Sequence, residues 1–281
     1  MSALSELTPS TLDGLKSSAG VRRLTDADRA NYRDQGYLKN LPVFDSSTMG
    51  VLQRRFHELV ALVPHDVDVN RINMWHKANA TVAELGRTPA ILDYVEDLIG
   101  PDFYQWGGQF FVKYPGDGSV VPWHQDSQYW PLTPCESVSV WLAIYDTDHD
   151  NGAMQIVRGS HRQGNFPHHD VDEPCFVLEQ EVDDGTFETE EVVTLDLKAG
   201  EISLHDAGLL HGSAANESRR IRAGLTMRYC AVDVKCDMSV WPTFEATMVR
   251  GTDRFAHNPQ AGLPTRDGFP VAKFQHSSEF D

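Results

Sequence analysis

Cysteines are few in this 281-residue chain, and so are long apolar runs. Its four cysteines form no C-x-x-C pair, and its N-terminus has no basic region followed by an apolar run. Nothing approaches the ~18 uninterrupted apolar residues that a membrane-spanning helix requires. These absences argue against a disulfide-stabilised secreted domain and against a membrane protein. We therefore expect a reduced, cytoplasmic protein.

Basic residues are also in short supply. The chain has 24 Lys and Arg against 41 Asp and Glu, a formal net charge of −17. Nucleic acids and anionic membrane surfaces attract basic patches, so neither is expected as a partner, and a small-molecule substrate is. With 41% hydrophobic and 23% charged residues the composition is that of an ordinary globular protein. We expect a single domain, as a monomer or a homodimer.

Helix signals are concentrated between residues 25 and 100. Thr25 is placed as an N-cap with an acid three residues later, and Gly36 would end that helix. Residues 46–63 carry an apolar stripe at three- and four-residue steps up to Pro64, made of Met49, Leu52, Phe56, Leu59 and Val63. A third helix is predicted from an N-cap at Thr88, with Pro89 at its first position. We expect residues 1–24 to be a mobile arm and 25–100 a helical scaffold.

From residue 102 onward the pattern changes to short β-rich runs separated by Gly, Pro, Asn and Asp, which is typical of a sandwich or barrel. Strands are predicted in 103–115, 136–146, 152–160, 191–197, 201–206 and 221–234. The predicted fold class is mainly β with flanking helices, a double-stranded β-helix or cupin-like jelly roll. Its core would span 101–240, followed by a C-terminal extension over 241–281, and the polar segment 162–190 would be an insert near the barrel mouth.

One tripeptide suggests a metal site. His124 and Asp126 are two residues apart, so on a β-strand their side chains would leave the same face. An imidazole and a carboxylate supply two of the three ligands of the two-His-one-carboxylate triad that holds Fe(II) with open coordination positions. The alternative is a His near an Asp in a solvated turn. A third ligand would have to come from elsewhere, with His205 and His211 as candidates.

Three segments carry a resemblance to a known family, namely WHQD at 123–126, NGAMQIVRGSHR at 151–162 and HGSAANESRRIR at 211–222. With them the chain resembles the phytanoyl-CoA dioxygenase family of Fe(II)/2-oxoglutarate oxygenases, from about Gln109 to Tyr229. The resemblance implies that His124, Asp126 and His211 bind iron.

The resemblance also implies a cosubstrate site. The eleven-residue step from His211 to Arg222 matches the family's step from its distal His to the Arg that binds the far carboxylate of 2-oxoglutarate. Ser213 falls on a position that usually hydrogen-bonds the same carboxylate. A guanidinium suits this task because its planar fork donates two parallel hydrogen bonds to a carboxylate. Arg220 is a rival for Arg222, because two residues apart on one strand they would share a face.

Several further residues have more than one interpretation. Gln109 and Lys113 stand where relatives place cosubstrate contacts, and they could equally be ordinary strand residues. Arg158 replaces the family's usual Pro, so it either ends a strand in solvent or contacts an anionic group of the substrate. His205 is expected beside the metal site rather than as a ligand. No catalytic role is expected for the remaining candidates by residue type, which are His149, His161, His168 and His169.

The activity implied by the resemblance is hydroxylation of an aliphatic C–H bond of a small-molecule metabolite. Fe(II), 2-oxoglutarate and O2 would be required, and succinate and CO2 released. Asp126 argues against a halogenase, because related halogenases lack this carboxylate. The alternatives are a non-catalytic cupin-like metal-binding protein and a different barrel metalloenzyme such as an isomerase or lyase. Arg222 discriminates between them, because a metal-binding module has no need of a carboxylate clamp.

Overall fold

A computed structural model describes residues 17–183, 185–187 and 191–270. Its helical elements lie mostly in the first third of the chain: α1 (Asp26–Gln35), α2 (Ser46–Val60), α3 (Trp75–Ala78), α4 (Ala80–Leu85) and α5 (Pro89–Ile99), with 3-10 turns at Val69–Arg71, Asp126–Gln128, His149–Asn151 and Ser160–Gln163. In the described ranges no helix combines the length and apolar character needed to cross a membrane.

The helix ends follow the sequence signals with two exceptions. Thr25 forms a full capping box with Asp28, and Gly36 ends α1 in the left-handed conformation with φ 82°. The Thr88 side chain, predicted as an N-cap, makes no capping bond, although Pro89 does occupy the first position of α5. Helix α2 ends at Val60, four residues before the Pro64 that the sequence suggested as its end.

Fourteen strands complete the described fold: β1 (Tyr37–Pro42), β2 (Phe103–Lys113), β3 (Val121–His124), β4 (Leu132–Thr133), β5 (Val138–Ala143), β6 (Gln155–Val157), β7 (His168–Asp170), β8 (Gln180–Val182), β9 (Val192–Thr194), β10 (Glu201–Asp206), β11 (His211–Ser213), β12 (Arg222–Ala231), β13 (Lys235–Cys236) and β14 (Thr247–Arg250). A six-stranded sheet has the order β1-β10-β5-β12-β2-β14, and a four-stranded sheet the order β3-β11-β6-β9. Their neighbours all pair antiparallel. The mainly β jelly roll with flanking helices that we predicted is confirmed.

Both flanks of the predicted 101–240 core contribute to the sheets. Strand β1, which falls within the predicted helical scaffold, pairs with β10, and β14 from the predicted C-terminal extension pairs with β2. Asp267 lies 2% exposed and accepts a hydrogen bond from Thr81 N at 2.7 Å. Of the predicted mobile arm, residues 1–16 lie outside the described residues, as do 271–281. Leu24, at the end of that arm, is 3% exposed in the core.

The helices cover one face of the six-stranded sheet and leave the other for a cavity. Phe110 and Leu225 point into the main core, where the Phe56 ring of α2 lies 5.5 Å from the Phe110 ring, edge to face. Their strand neighbours Gln109 and Thr226, which are paired in register, line the cavity instead. This alternation follows from the two-residue period of a strand.

His76 gives the core a specific pH dependence. It is 1% exposed, neither ring nitrogen has a hydrogen-bond partner among the described residues, and burial lowers its pKa to about 3. An unfolded chain takes up this proton below about pH 6.5, whereas the folded chain does so only near pH 3. Folded stability therefore falls as the pH drops through that window, by about 2 kcal/mol between pH 7 and pH 5 for this one group.

Between pH 7 and pH 5 we expect the free energy of unfolding to fall by about 2 kcal/mol less in His76→Gln than in the parent protein. Only the parent has to keep this imidazole neutral in the folded state. Denaturant unfolding at pH 7 and pH 5 measures the difference. Exposed His149, replaced in the same way, is the matched control and should leave the pH dependence unchanged. Identical pH dependence in His76→Gln and the parent would show that His76 does not carry this term.

Candidate active site

A cavity of about 700 Å³ lies between the two sheets. Its walls come from distant parts of the chain, between Asn70 and Trp241. Arg222, Thr226 and Arg228 of β12 form one side, and His211 to Ser213 of β11 form the other. The insert contributes Val177, Leu178 and Glu179, the first third of the chain contributes Asn70, Arg71 and Asn73, and the C-terminal region contributes Val240 and Trp241.

His124, Asp126 and His211 meet at the inner end of this cavity. Each offers one ligand atom, and these atoms all lie within 4.8 Å of one another. His124 ends β3 and His211 begins β11, and the two are direct cross-strand partners with ring centroids 4.1 Å apart. All three side chains are buried. Strand pairing thus brings together residues that are 87 positions apart in the sequence.

Asp126 reaches this cluster by a different route from the one we predicted. The prediction placed it on the same strand face as His124, but β3 ends at His124 and Asp126 is the first residue of a 3-10 turn. Gln125 between them is fully buried, and its side-chain amide donates to the carbonyls of Gly164 and Gly208. The turn, held by Gln125, is therefore what directs Asp126 toward the two imidazoles.

Both cluster histidines are held in the tautomer that a metal requires. His124 Nδ1 lies 2.8 Å from the Pro122 carbonyl oxygen, and His211 Nδ1 lies 2.9 Å from the Leu209 carbonyl oxygen. A carbonyl can only accept, so each Nδ1 carries the proton and each Nε2 is a free donor of electrons. Burial lowers the pKa of His124 and takes that of His211 well below its usual value, which keeps both rings neutral near pH 7.

The Asp126 carboxylate is kept ionised by its neighbours. Burial alone would raise its pKa, but Arg228 and the histidines His205, His211 and His124 outweigh burial and lower the pKa. Ser139 Oγ donates to Asp126 Oδ2 at 3.2 Å, and His205 Nε2 lies 3.7 Å from the same oxygen. His205 is thus placed behind the carboxylate, and it is not part of the three-residue cluster within 4.8 Å.

Arg222 is a buried cation whose hydrogen-bonding capacity is largely unused. It is 2% exposed, and its Nε and Nη1 have no hydrogen-bond partner in the described part of the chain. The guanidinium lies over the Trp141 ring, 4.7 Å from its centroid, and burial lowers its pKa to about 10. Ser213, 5% exposed on the same cavity, has an Oγ that is likewise unpaired within the described residues. A guanidinium and a hydroxyl on one cavity are donor groups of the kind that a carboxylate accepts hydrogen bonds from.

The structure separates Arg222 from Arg220, which sequence parity could not do. Strand β12 begins at Arg222, and Arg220 precedes it in a turn. The Arg220 side chain is 50% exposed, and its Nη2 donates to both carboxylate oxygens of Asp148 at 2.8 and 2.7 Å. Arg220 is therefore occupied outside the cavity.

Gln109 and Lys113 differ in their placement. Gln109 lines the cavity, where its amide donates to the Asn70 carbonyl oxygen at 2.6 Å. Lys113 Nζ instead donates to the backbone carbonyls of Ser213 and Ala214, at 2.9 and 2.5 Å. Burial and the nearby Arg222 lower the Lys113 pKa to about 6. Lys113 thus anchors the end of β11 and does not line the cavity.

Arg158 does not reach the cavity. Its side chain is 43% exposed, and it donates to Glu191 Oε2 through Nε at 3.0 Å and Nη2 at 2.7 Å. Of the two interpretations left open by the sequence, the structure favours the surface strand end. His149, at 78% side-chain exposure, and His169, paired with Asp183, are likewise on the surface. The aromatic residues Tyr129, Trp130 and Trp141 do line the cavity.

Two groups of cavity residues were missed by the sequence reasoning. Asn70, Arg71 and Asn73 lie in a short 3-10 segment and its continuation, where no periodicity marks them. Arg228 was treated only as part of a strand. Its even-numbered spacing from Arg222 was the available signal, since residues six apart on one strand share a face.

Gly224, between Arg222 and Thr226, gives space to Trp141. A Cβ at Gly224 would lie 2.0 Å from Trp141 Cζ2, so Gly224→Ala has to displace the indole. We expect this overpacking to lower the free energy of unfolding by about 1–3 kcal/mol. Carboxylate binding at Arg222 should also weaken, because its guanidinium lies over the same Trp141 ring. Thermal unfolding measures the first effect. Gly262, where an added Cβ would meet nothing within 4 Å, supplies the control substitution. A Gly224→Ala protein as stable as Gly262→Ala would contradict the prediction.

Residues 32–224 match the family model described as phytanoyl-CoA dioxygenase (PhyH). The chain belongs to this family. It is 27% identical over 193 residues to a probable alpha-ketoglutarate-dependent hypophosphite dioxygenase of Stutzerimonas stutzeri, a match covering 65% of this chain and 65% of that protein. The matched region thus spans slightly less than two thirds of that relative.

Solved structures with the same architecture include a non-heme monooxygenase, ThoJ in its apo form. It is 25% identical, with a TM-score of 0.70 over 85% of this chain and 89% of ThoJ. CytC3 with Fe(II) and alpha-ketoglutarate is 20% identical, with a TM-score of 0.64 over 88% of this chain and 97% of CytC3. The second likeness concerns the fold alone.

Proposed function

We propose that this protein is an Fe(II)- and 2-oxoglutarate-dependent dioxygenase that hydroxylates an aliphatic C–H bond of a small-molecule metabolite. His124, Asp126 and His211 would hold the metal, and Arg222 with Ser213 would bind the far carboxylate of 2-oxoglutarate. Family membership and the names of the relatives support the reaction class.

One observation carries this proposal: a cluster of metal-binding residue types lines the same cavity as the buried Arg222 and Ser213, whose Nε, Nη1 and Oγ have no hydrogen-bond partner among the described residues. Leaving a guanidinium buried without hydrogen bonds is costly unless a ligand supplies them. A non-catalytic cupin-like metal-binding protein, or an isomerase or lyase on the same barrel, would need the cluster but has no use for a second, carboxylate-binding point. The pair of sites therefore favours the oxygenase.

The residues of the chain would perform three tasks. The two imidazoles and the carboxylate would hold the metal through three ligand atoms and leave it able to bind the cosubstrate and O2. Arg222 and Ser213 fix the orientation of the cosubstrate, while Tyr129, Trp130 and Trp141 limit the access of water. Bound Fe(II) and 2-oxoglutarate would supply O2 activation coupled to oxidative decarboxylation, with succinate and CO2 as products. No side-chain acid or base is assigned, because none of these tasks requires one.

The test has a spectroscopic and a catalytic part. Without oxygen, addition of Fe(II) and 2-oxoglutarate should produce the weak visible metal-to-ligand charge-transfer band expected when the cosubstrate chelates the metal. In air, succinate release should be stimulated by at least one member of a metabolite panel. A protein that binds Fe(II) but shows neither the band nor any 2-oxoglutarate consumption is instead a metal-binding protein or an enzyme of another class.

A further inference from the structure

We propose that Arg228 binds an oxyanion group of the primary substrate, so that the substrate is a small molecule bearing a carboxylate, phosphonate or related acid. This inference rests on the proposed function and names the substrate class of the same site. It concerns a second buried cation in the cavity, which lies beside the metal cluster and away from the Arg222 carboxylate site.

Arg228 is 6% exposed, lines the cavity and uses little of its hydrogen-bonding capacity. Its Nε has no partner within the described ranges. Nη1 donates to Gln109 Oε1 at 3.5 Å, a long hydrogen bond, and Nη2 lies 4.0 Å from Asp126 Oδ1. A guanidinium has five N–H donors, so most of them are available to a ligand.

The residues packed around Arg228 restrict its side chain to one position. Its guanidinium lies over the rings of Trp106 and Trp130, at 5.8 and 5.3 Å from their centroids. Gly107 stands opposite Arg228 in register, and a Cβ there would come within 3.0 Å of Arg228 Cδ. The two indole rings and Gly107 thus hold the Arg228 guanidinium in one position. Because the side chain is already ordered, binding an anion costs less conformational entropy.

The far carboxylate of the cosubstrate cannot reach both arginines of β12. Arg228 lies six residues after Arg222 on the same face, so at ~3.3 Å per residue their Cα atoms are about 20 Å apart. A 2-oxoglutarate whose far carboxylate binds Arg222 would have only its metal-binding end near Arg228. If Arg228 bound that end rather than the substrate, Arg228→Gln would weaken 2-oxoglutarate binding, which the titrations below measure. Arg228 stands beside Asp126, on the metal side of the cavity, where the substrate carbon would have to lie.

With Fe(II) and 2-oxoglutarate bound, the cavity would carry a net positive charge, which one further anion would neutralise. Fe(II), Arg222 and Arg228 carry four positive charges, against three negative charges from 2-oxoglutarate and Asp126. Arg71 and Glu179, which are exposed residues of the cavity wall, carry opposite charges and cancel. A net charge buried between the sheets is unfavourable, and one substrate oxyanion would neutralise it.

Arg228 could alternatively serve only as the counter-ion of Asp126. At 4.0 Å that contact is not a hydrogen bond, and a metal cation bound to Asp126 would take over the neutralisation of its charge. The two roles make different predictions. A counter-ion supports metal binding, whereas a substrate contact supports anion binding after metal and cosubstrate are already in place.

Binding should be measured by titration calorimetry on the Fe(II)- and 2-oxoglutarate-loaded protein without oxygen, where Arg222 is already occupied. The probes are acetate and methylphosphonate, each with a neutral analogue, acetamide and dimethyl methylphosphonate. We expect the anions to bind at least tenfold more tightly than their analogues, and the preferred anion to distinguish a carboxylate from a phosphonate substrate. Arg228→Gln should weaken anion binding at least tenfold, Arg228→Lys less so, while 2-oxoglutarate affinity changes less than threefold.

Arg220→Gln removes one positive charge outside the cavity and is the matched control, with unchanged anion binding expected. The proposal is overturned if the neutral analogues bind as well as the anions, or if Arg228→Gln and Arg228→Lys bind the anions like the parent and lose only Fe(II) affinity. If 2-oxoglutarate fails to bind at all, the proposed function fails first. The same anion titrations on Arg222→Gln with metal alone then test Arg228 separately.

Discussion

Alanine at His124, Asp126 or His211 should abolish Fe(II)-dependent 2-oxoglutarate turnover while leaving the fold intact. Each substitution removes one of three protein ligands, so both metal affinity and coordination geometry are lost, and we expect metal affinity to fall by at least about 100-fold. The three side chains cluster on the cavity wall and are not part of the main hydrophobic core, which is why the fold should survive. Anaerobic Fe(II) titration and succinate release measure the effect, and circular dichroism checks the fold.

Alanine substitutions at two further histidines serve as comparisons for this experiment. His205 lies 3.7 Å from Asp126 and outside the cluster, so His205→Ala should weaken the metal by about tenfold, the effect of losing an outer partner. His149→Ala, at the surface, should change nothing. If His211→Ala kept full activity and His205→Ala lost it, the third metal ligand would be His205 and not His211.

Arg222→Ala should raise the 2-oxoglutarate requirement by about 30-fold to several thousand-fold. Removing one partner of a buried, hydrogen-bonded charge pair costs about 2–5 kcal/mol, and about 1.4 kcal/mol corresponds to a factor of ten. Fe(II) binding should survive, because the guanidinium is not part of the metal cluster. The concentration dependence of 2-oxoglutarate turnover gives the size of the effect.

A thermal shift provides a second measurement that does not depend on turnover. In the parent protein, 2-oxoglutarate with metal should raise the unfolding temperature by mass action, and in Arg222→Ala most of this increase should be absent. Without cosubstrate the variant should be no less stable than the parent, since the buried guanidinium lacks hydrogen-bond partners at Nε and Nη1 in the described chain. Arg220→Ala is the matched control. If Arg220→Ala raised the 2-oxoglutarate requirement and Arg222→Ala left it unchanged, Arg220 and not Arg222 would bind the far carboxylate of the cosubstrate.

Local signals in the sequence were sufficient for features that depend on neighbouring residues. The capping box at Thr25, the left-handed Gly36 and the buried stripe of α2 all follow from contacts within four residues along the chain. The jelly roll was also predictable, because short apolar runs with turn residues between them have few other ways to bury their faces. The long segments β2 and β12 were found for the same reason.

Local signals failed where the outcome depended on a register or on a distant partner. Thr88 has the right residue type for an N-cap but makes no capping bond, and β1 was hidden in a helical region because its partner β10 lies more than 150 residues away. Asp126 was assigned to a strand face, whereas the β3 strand stops two residues earlier. Parity could not rank Arg220 against Arg222, because it assumes a strand that in fact begins at Arg222.

The sequence by itself determined the chemical groups of this protein: two histidines, a carboxylate and a cation at the spacing of a known family. Only the tertiary structure decided which of the cations are buried and unpaired. Cross-strand pairing sets His211 opposite His124, the start of β12 turns Arg222 inward while Arg220 pairs outside with Asp148, and the face shared with Arg222 carries Arg228 to Asp126. The family's eleven-residue step from His211 favoured Arg222 over Arg220, but strand parity could not, because burial and pairing depend on residues far apart in the chain.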